Sequence, residues 1–412
     1  MTAVSYRPVR AVLVTLAIAA AVLSAGLVVA TTEAKAARGM ELAIQDDSIF
    51  VRGNSRWKGD KPFKYARALG VTRIRVNLLW AYTMYSKQYR ARRKPKVVNY
   101  QFSQIDTLID RAAKNGIRVH LSLSGPAPRW ANSRKKNPEK GAWYKPSTRE
   151  YGKWAGVVAE HFAGRVDRYS IWNEPNWKTW LGPLKAAPAI YRSLYVRGYG
   201  AIKKADPKAK VLIGETSPYE RRGLSTAPLA FLRKVACVDK RYKRKRSCPK
   251  LKADGYAHHP YDFLHAPNFK YPGSDNVTIG TLSRLTKTLD RLRRSGALRA
   301  PRGARMPVYL TEYGYFASGK RALKSKQRSR YLQRAYSIAL KNGRVRSQLQ
   351  YLLAVLPRGS TSTFNTGLVT QRGKRLSQYK ALQRWYRKNR GKVKRPGRAI
   401  TVPPAKPNPS VG

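Results

Sequence analysis

Two periods alternate along this chain: the two-residue period of short β-branched or apolar runs, and the 3.6-residue period of amphipathic helices. Residues 40–44 read as a first strand, and residues 61–69 as a helix closed by Gly70. Strand two covers 72–80, Thr-Arg-Ile-Arg-Val-Asn-Leu-Leu-Trp. The helix at 102–115 sets Ile105, Leu108, Ile109 and Ala112 on one face, and Gly116 ends it. Strand three (117–125) leads through a loop and a helix (148–163) to strand four, Tyr169-Ser170-Ile171-Trp172-Asn173-Glu174. Pro175 has no backbone N–H, so strand four stops near Glu174. The second half repeats the rhythm: helix 188–205, strand five 210–215, helix 229–236, strand six 253–261 and helix 281–295. Strand seven (307–315), helix 325–342, strand eight (346–356) and helix 377–388 complete it.

Strands alternating with helices predict a parallel sheet with right-handed crossovers. Eight such units predict an α/β fold closed as a (β/α)8 TIM barrel, spanning 37–388. The alternative is an open, doubly wound sheet. It calls for a glycine-rich phosphate turn after an early strand, and none stands there. Arg7 and Arg10 precede an apolar run at 11–30, followed by Ala34-Lys35-Ala36. Residues 1–36 are therefore expected to be an export signal cleaved after Ala36, placing the protein outside the cell or at its envelope. Left uncleaved, the run is long enough to anchor the chain in a membrane. The tail 389–412 holds five prolines and is expected to be a disordered, basic extension.

Charge changes the picture in two ways. There are 84 Lys+Arg against 21 Asp+Glu, a net +63. Such a chain attracts polyanions, an anionic cell envelope among them. The basic residues run through the whole sequence and no nucleic-acid motif accompanies them, so no specific nucleic-acid partner is expected. Acids are scarce, which makes each informative: of nine Glu, three fall at predicted strand ends, Glu174, Glu215 and Glu312. Cys237 and Cys248 lie close enough to close a loop around the basic run 240–246 in an oxidising compartment. Without a C-x-x-C or Cys/His cluster, no metal site is expected.

In a TIM barrel the chemistry sits at the carboxyl ends of the strands. Strands four and seven face one another across the barrel, so Glu174 and Glu312 are placed to flank a glycosidic bond. Hydrolysis with retention needs carboxyls about 5–5.5 Å apart, one as acid/base and one as nucleophile. Arg75 is expected to keep Glu312 ionised. Trp172 and Trp177 are expected to desolvate Glu174 so that it holds its proton. Asn173 is placed to bond a sugar hydroxyl. Trp80, Trp130 and Trp180 stand at strand ends or in loops suited to stacking on sugar rings. Glu215 either bonds substrate, orients His259 or makes a structural hydrogen bond, and His120, in mid-strand, reads as a core residue. Two carboxylates suffice for this chemistry, so neither a metal nor an organic cofactor is expected.

Over residues 39–388 the pattern resembles the clan of retaining glycoside hydrolases built on (β/α)8 barrels, which includes cellulase-, mannanase- and xylosidase-type enzymes. It looks most like the secreted actinobacterial "cellulase family" glycosyl hydrolases of uncertain substrate. The resemblance implies Glu174 as acid/base, Glu312 as nucleophile, Asn173 as the amide meeting a 2-hydroxyl and Arg75 as the strand-two arginine. It also implies that His259 and Tyr261 form a His-x-Tyr pair at the end of strand six, and that the substrate is an oligo- or polysaccharide, β-linked. The chain departs from the clan at strand eight, Gln348-Leu349-Gln350-Tyr351-Leu352-Leu353, where many members carry a Trp platform. Tyr351 or a loop aromatic is expected in its place. Two rival readings remain: a non-catalytic carbohydrate- or cell-wall-binding barrel, and a polyanion-binding envelope protein.

Overall fold

The computed structural model describes residues 39–53, 55–133, 143–357, 359–360, 362 and 364–412. The expected leader, 1–36, lies outside them. Among the described residues no helix is long and apolar enough to cross a membrane.

Eight parallel strands close into a barrel. They are β1 (Glu41–Gln45), β2 (Val71–Leu79), β3 (Arg118–Ser124), β4 (Arg168–Ile171), β5 (Lys210–Thr216), β6 (Gly255–His258), β7 (Val308–Leu310) and β8 (Val345–Tyr351). Each pairs with its sequence neighbour, and β1 pairs with β8 from Glu41 opposite Ser347 to Gln45 opposite Tyr351, which closes the ring. Helices alternate with the strands: α1 (Lys61–Ala68), α2 (Ser103–Lys114), α3 (Thr148–His161) and α4 (Ala187–Ala205) in the first half. The second half adds α5 (Pro228–Val235), α6 (Leu282–Arg294), α7 (Ser325–Lys341) and α8 (Ser377–Asn389). The (β/α)8 barrel read from the alternation is the observed fold. Its strands six and seven are shorter than their sequence runs, so Glu312 lies beyond the ladder rather than in it.

Strand β2 shows how the sequence fills the barrel. Ile74, Val76 and Leu78 take the outer face and join the main apolar core. Arg73, Arg75 and Asn77 alternate with them on the inner face, one above another toward the carboxyl end. Arg73 meets Glu41 at 3.1 Å and Asp167 at 2.6 Å, and Arg168 meets Glu41 at 2.6 Å. The Arg168 guanidinium also lies 4.4 Å from the Tyr309 ring centroid. The barrel floor is thus ionic rather than aliphatic. Burial opposes ionisation of Glu41, but Arg73 and Arg168 outweigh it and hold its carboxyl far below the usual range. Asp167, held the same way by Arg73, falls to about 2.

The tail corrects an expectation. Residues 389–412 are packed along the barrel rather than free. Gly39 N–H donates to Lys392 O at 2.9 Å, Lys394 N–H to Met40 O at 3.0 Å, and Ile400 N–H to Ala113 O at 2.9 Å. Phe102 N–H donates to the Asn408 side chain at 2.8 Å, and Ser410–Val411 pair antiparallel with Val98–Asn99. Proline-rich composition removes donors but leaves carbonyls. Here they meet backbone N–H groups that the ladder leaves open, such as that of Tyr100. Composition reports only the tail's half of that match.

Candidate active site

The mouth of the barrel, above Arg73 and Arg75, is shaped by strained backbone at two strand ends. Trp172 has φ 67° and Glu174 φ 39°, both left-handed. This turns the chain after β4 so that Glu174 N–H donates to Glu215 O at 2.8 Å. At the end of β5 the register shifts between Gly214 and Thr216, a bulge that re-aims Glu215 into the barrel. Gly214 has φ 117°, and a Cβ there would lie 2.4 Å from Ala257 O, so no other residue fits without displacement. Asn176 then ties the two loops, donating to Ser217 O at 3.2 Å and accepting from Ser217 N–H at 2.9 Å.

Arg75 is wholly buried and organises one side of the site. It donates to Glu312 Oε1 at 2.8 Å, Asn173 Oδ1 at 2.9 Å, Glu215 Oε2 at 3.0 Å and Ser122 Oγ at 3.3 Å, and also to Gln45. The other oxygen of Glu312 accepts from the Tyr261 hydroxyl at 3.2 Å. His259 bridges the carboxylates: Nδ1 lies 3.0 Å from Glu174 Oε1 and 3.7 Å from Glu312 Oε2, and Nε2 lies 2.7 Å from Glu215 Oε2. The two Nδ1 contacts sum to 6.7 Å, an upper bound on the distance between those Glu174 and Glu312 oxygens. Thr311 adds a third donor to Glu215 Oε2 at 2.7 Å.

The electrostatics follow from this packing. Burial lowers the pKa of His259, but Glu312, Glu174 and Glu215 outweigh burial and raise it to about 10. Both of its ring nitrogens face carboxylate oxygens, so both carry protons. Burial likewise disfavours the Glu215 anion, yet Arg75 and His259 hold its carboxyl far below the usual range. Glu312 is raised, first by burial and further by Glu174 and Glu215, against the pull of His259 and Arg75. The simple expectation that Arg75 keeps Glu312 ionised is thus modified. Three carboxylates face two cations, Arg75 and His259, and two of the three, Glu174 and Glu312, open to the cleft.

The cleft above them has a volume of about 460 Å³. Its walls are aromatic: Trp177, Trp180, Tyr219, Phe263, Tyr351 and Phe364. Tyr351 ends β8 where the expected Trp is missing. It packs against Phe364 with centroids 5.4 Å apart, so a strand residue and a loop residue together occupy that side. Asp46 fixes the turn beyond it, accepting from the backbone N–H of Leu353 at 3.2 Å and Ala354 at 3.1 Å.

Of the residues expected at the site, Glu174, Glu312, Asn173, Arg75, His259 and Tyr261 come together here. Trp80 and Trp130 do not. Trp80 is fully buried, stacked on Trp154 at 5.7 Å and edge-on to Trp130 at 6.1 Å, and neither tryptophan lines the cleft. Trp80 follows β2 on its outward register, so it joins the layer between strands and helices. Trp172 is also fully buried, donating from Nε1 to Trp180 O at 2.7 Å, so Trp177 and Trp180 wall Glu174 instead. Cys237 and Cys248 are bonded and lie away from the cleft. His120 is buried beside Ser170 at 3.1 Å. Sequence reading missed Gln45, Asn77 and Thr311. Asn77 had a signal, two positions beyond Arg75 on the same strand face.

No model of a protein family and no curated protein matches this sequence. Solved structures do match. A family 39 glycoside hydrolase from Bacteroides cellulosilyticus aligns with a TM-score of 0.57 at 20% identity, covering 84% of this chain and 63% of its own. A monomeric β-xylosidase from Caulobacter crescentus gives 0.55 at 17%, covering 86% and 69%, and xylanase 10B from Thermotoga maritima 0.53 at 16%, covering 85% and 96%. At such identities the likeness is one of fold: this chain folds as the (β/α)8 barrel that these glycoside hydrolases share.

Proposed function

We propose that the protein is a retaining glycoside hydrolase acting on a β-linked glycan. The observation that carries this reading is the placement of Glu174 and Glu312 on either side of His259 Nδ1, in an aromatic cleft at the carboxyl ends of β4 and β7. The bound of 6.7 Å on their facing oxygens accommodates the separation of about 5–5.5 Å used for retention. Glu312 is the nucleophile, because Arg75 and Tyr261 donate to both of its oxygens and stabilise its anion. Glu174, at the rim, is the acid/base. A Glu312 oxygen attacks the anomeric carbon while the glycosidic C–O bond breaks. The leaving oxygen keeps that electron pair and takes the Glu174 proton. Water then attacks the glycosyl ester, Glu174 takes back a proton and Glu312 is released. His259 and Glu215 position these groups and do not touch the reacting atoms. Asn173, fixed by Arg75, meets a hydroxyl of the sugar. Export and association with an anionic envelope rest on the leader pattern of residues 1–36 and on the net charge.

The test is turnover of a panel of aryl β-glycosides, with the first-formed anomer read by NMR. Retained configuration is expected. Glu312→Gln should abolish turnover. Glu174→Gln should lose roughly 10²–10⁴-fold on leaving groups that need a proton and much less on a dinitrophenyl leaving group. An inverted product, or a panel left untouched by folded protein, sinks the proposal.

A further inference from the structure

Two guanidinium groups in the cleft take no part in the steps above. Arg221 follows β5 and Arg321 follows β7, and both line the catalytic cleft. Both also line a smaller cavity of about 190 Å³ that adjoins it at Tyr219 and Phe263. They therefore converge from either side of the loop that follows β6. Aromatic faces hold each one. The Arg221 guanidinium carbon lies 5.4 Å from the ring centroids of both Trp177 and Tyr219, and Nη2 donates to the Tyr219 hydroxyl at 3.2 Å. That of Arg321 lies 4.4 Å from Phe316 and 5.3 Å from Phe263. Neither forms an ion pair among the described residues. Asp262, also in the smaller cavity, is engaged by His265, whose Nδ1 lies 2.9 Å away and whose backbone N–H lies at 3.1 Å. Glu220 lines the smaller cavity only.

Basic residues cover this protein, but these two differ from solvated surface charges. Both are partly buried and braced on rings inside a cleft. Stacking fixes the guanidinium plane while leaving most of its N–H donors free, Arg221 spending one on the Tyr219 hydroxyl, and the remaining edge matches a two-oxygen anion. The carboxylates of the catalytic cluster are engaged elsewhere: Glu215 and Glu312 by Arg75 and His259, and Glu174 by His259. A neutral sugar would leave both without a counter-charge. Resting on the hydrolase reading, we propose that the cleft selects an acidic glycan: a chain whose sugar beside the cleavage point carries a carboxylate or a sulfate ester that bridges Arg221 and Arg321.

The experiment compares kcat/KM for matched aryl β-glycosides: a neutral hexoside, its uronide and its 6-sulfate. One acidic substrate should exceed the neutral one by about tenfold to hundredfold, the value of one charge-assisted pair. Arg221→Met and Arg321→Met should each cut the acidic-to-neutral ratio by about tenfold, and together remove the preference. A ratio taken on one preparation does not depend on the fraction folded. Whether uronide or sulfate leads identifies the anion. Equal rates on all three, or a ratio unmoved in the double variant, overturns the proposal. If no glycoside is turned over, the hydrolase reading fails separately. Calorimetry of the wild-type and double-variant proteins with an oligouronate and a sulfated oligosaccharide then judges the anion site: binding lost with the arginines supports it, and no binding overturns it.

Discussion

Glu215→Gln removes the charge at the centre of the buried cluster. Glu215 Oε2 accepts from Arg75 at 3.0 Å, His259 at 2.7 Å and Thr311 at 2.7 Å, while Oε1 has no partner. A glutamine with its oxygen at the Oε2 position keeps all three donors, and its NH₂ falls where no donor opposes it. The substitution removes the charge and leaves a buried NH₂ with no acceptor, which adds to the loss. A hydrogen bond to a charged acceptor is worth about 1.5–3 kcal/mol, against about 0.5–1.5 for a neutral one. Three bonds therefore lose roughly 3 kcal/mol in all, at the lower end of the ~3–5 kcal/mol for breaking a buried ion pair. Urea denaturation at pH 7 should show a lower midpoint with an unchanged slope. The sign of the pH dependence is also set. The folded-state pKa of Glu215 is depressed, so its contribution is present above the unfolded carboxylate pKa, about 4.5, and is lost as pH falls. The difference between wild type and variant should shrink between pH 6 and pH 3. A loss under about 1 kcal/mol at pH 7, or a difference that holds constant into acid, refutes the reasoning.

His259 gives the opposite slope. Its folded pKa is raised from 6.5 to about 10, so its contribution, on the order of 5 kcal/mol, is full below pH 6.5 and lost as pH rises through 10. His259→Asn should flatten the alkaline arm of a plot of unfolding free energy against pH; a variant with the wild-type slope there would contradict this. Truncation before Pro396 removes the partners of Tyr100, Phe102 and Ala113 and the Ser410–Val411 pairing. At about 0.5–1.5 kcal/mol per bond this should cost roughly 3–5 kcal/mol. An unchanged melting temperature would return the tail to the unstructured state its composition suggests. Cys237 and Cys248 are 11 residues apart, so replacing both with Ser should cost about 3 kcal/mol by loop closure, read as a urea midpoint shift that reductant reproduces in the wild type. Identical wild-type midpoints with and without reductant would count against it.

What was legible in the sequence followed from residues whose signal is local. The eight alternating units carried the barrel, because periodicity is a property of each segment taken alone. Glu174 stood out because Pro175 stops its strand, Glu312 because it falls near the end of the seventh run, and both because few other acids compete. His259 and Tyr261 were legible by spacing. Glu215 was left between three roles, and the deciding fact is a bulge after Gly214 that no periodicity reports. Trp80 and Trp130 misled because position at a strand end does not say which face a ring takes. The cleft walls formed by Phe364, Arg221 and Arg321 come from loops, whose course is set by what they pack on. The tail failed for the same reason, since its partners lie about 300 residues earlier, at Val98 and Phe102.

The ionic barrel floor constrains how this sequence can change. Glu41, Arg73, Asp167 and Arg168 neutralise one another beneath the active site. Losing Glu41 leaves Arg73 and Arg168 buried without their shared partner at a cost of about 3–5 kcal/mol, a large part of the ~5–15 kcal/mol that holds a typical domain together, whereas the half-exposed Asp167 contributes less. Replacing all four at once with apolar residues of matched volume would be neutral or stabilising by the same physics. The two floors are thus separated by the loss of Glu41, the acid that both buried arginines share, so a change of floor has to be made in concert rather than one residue at a time.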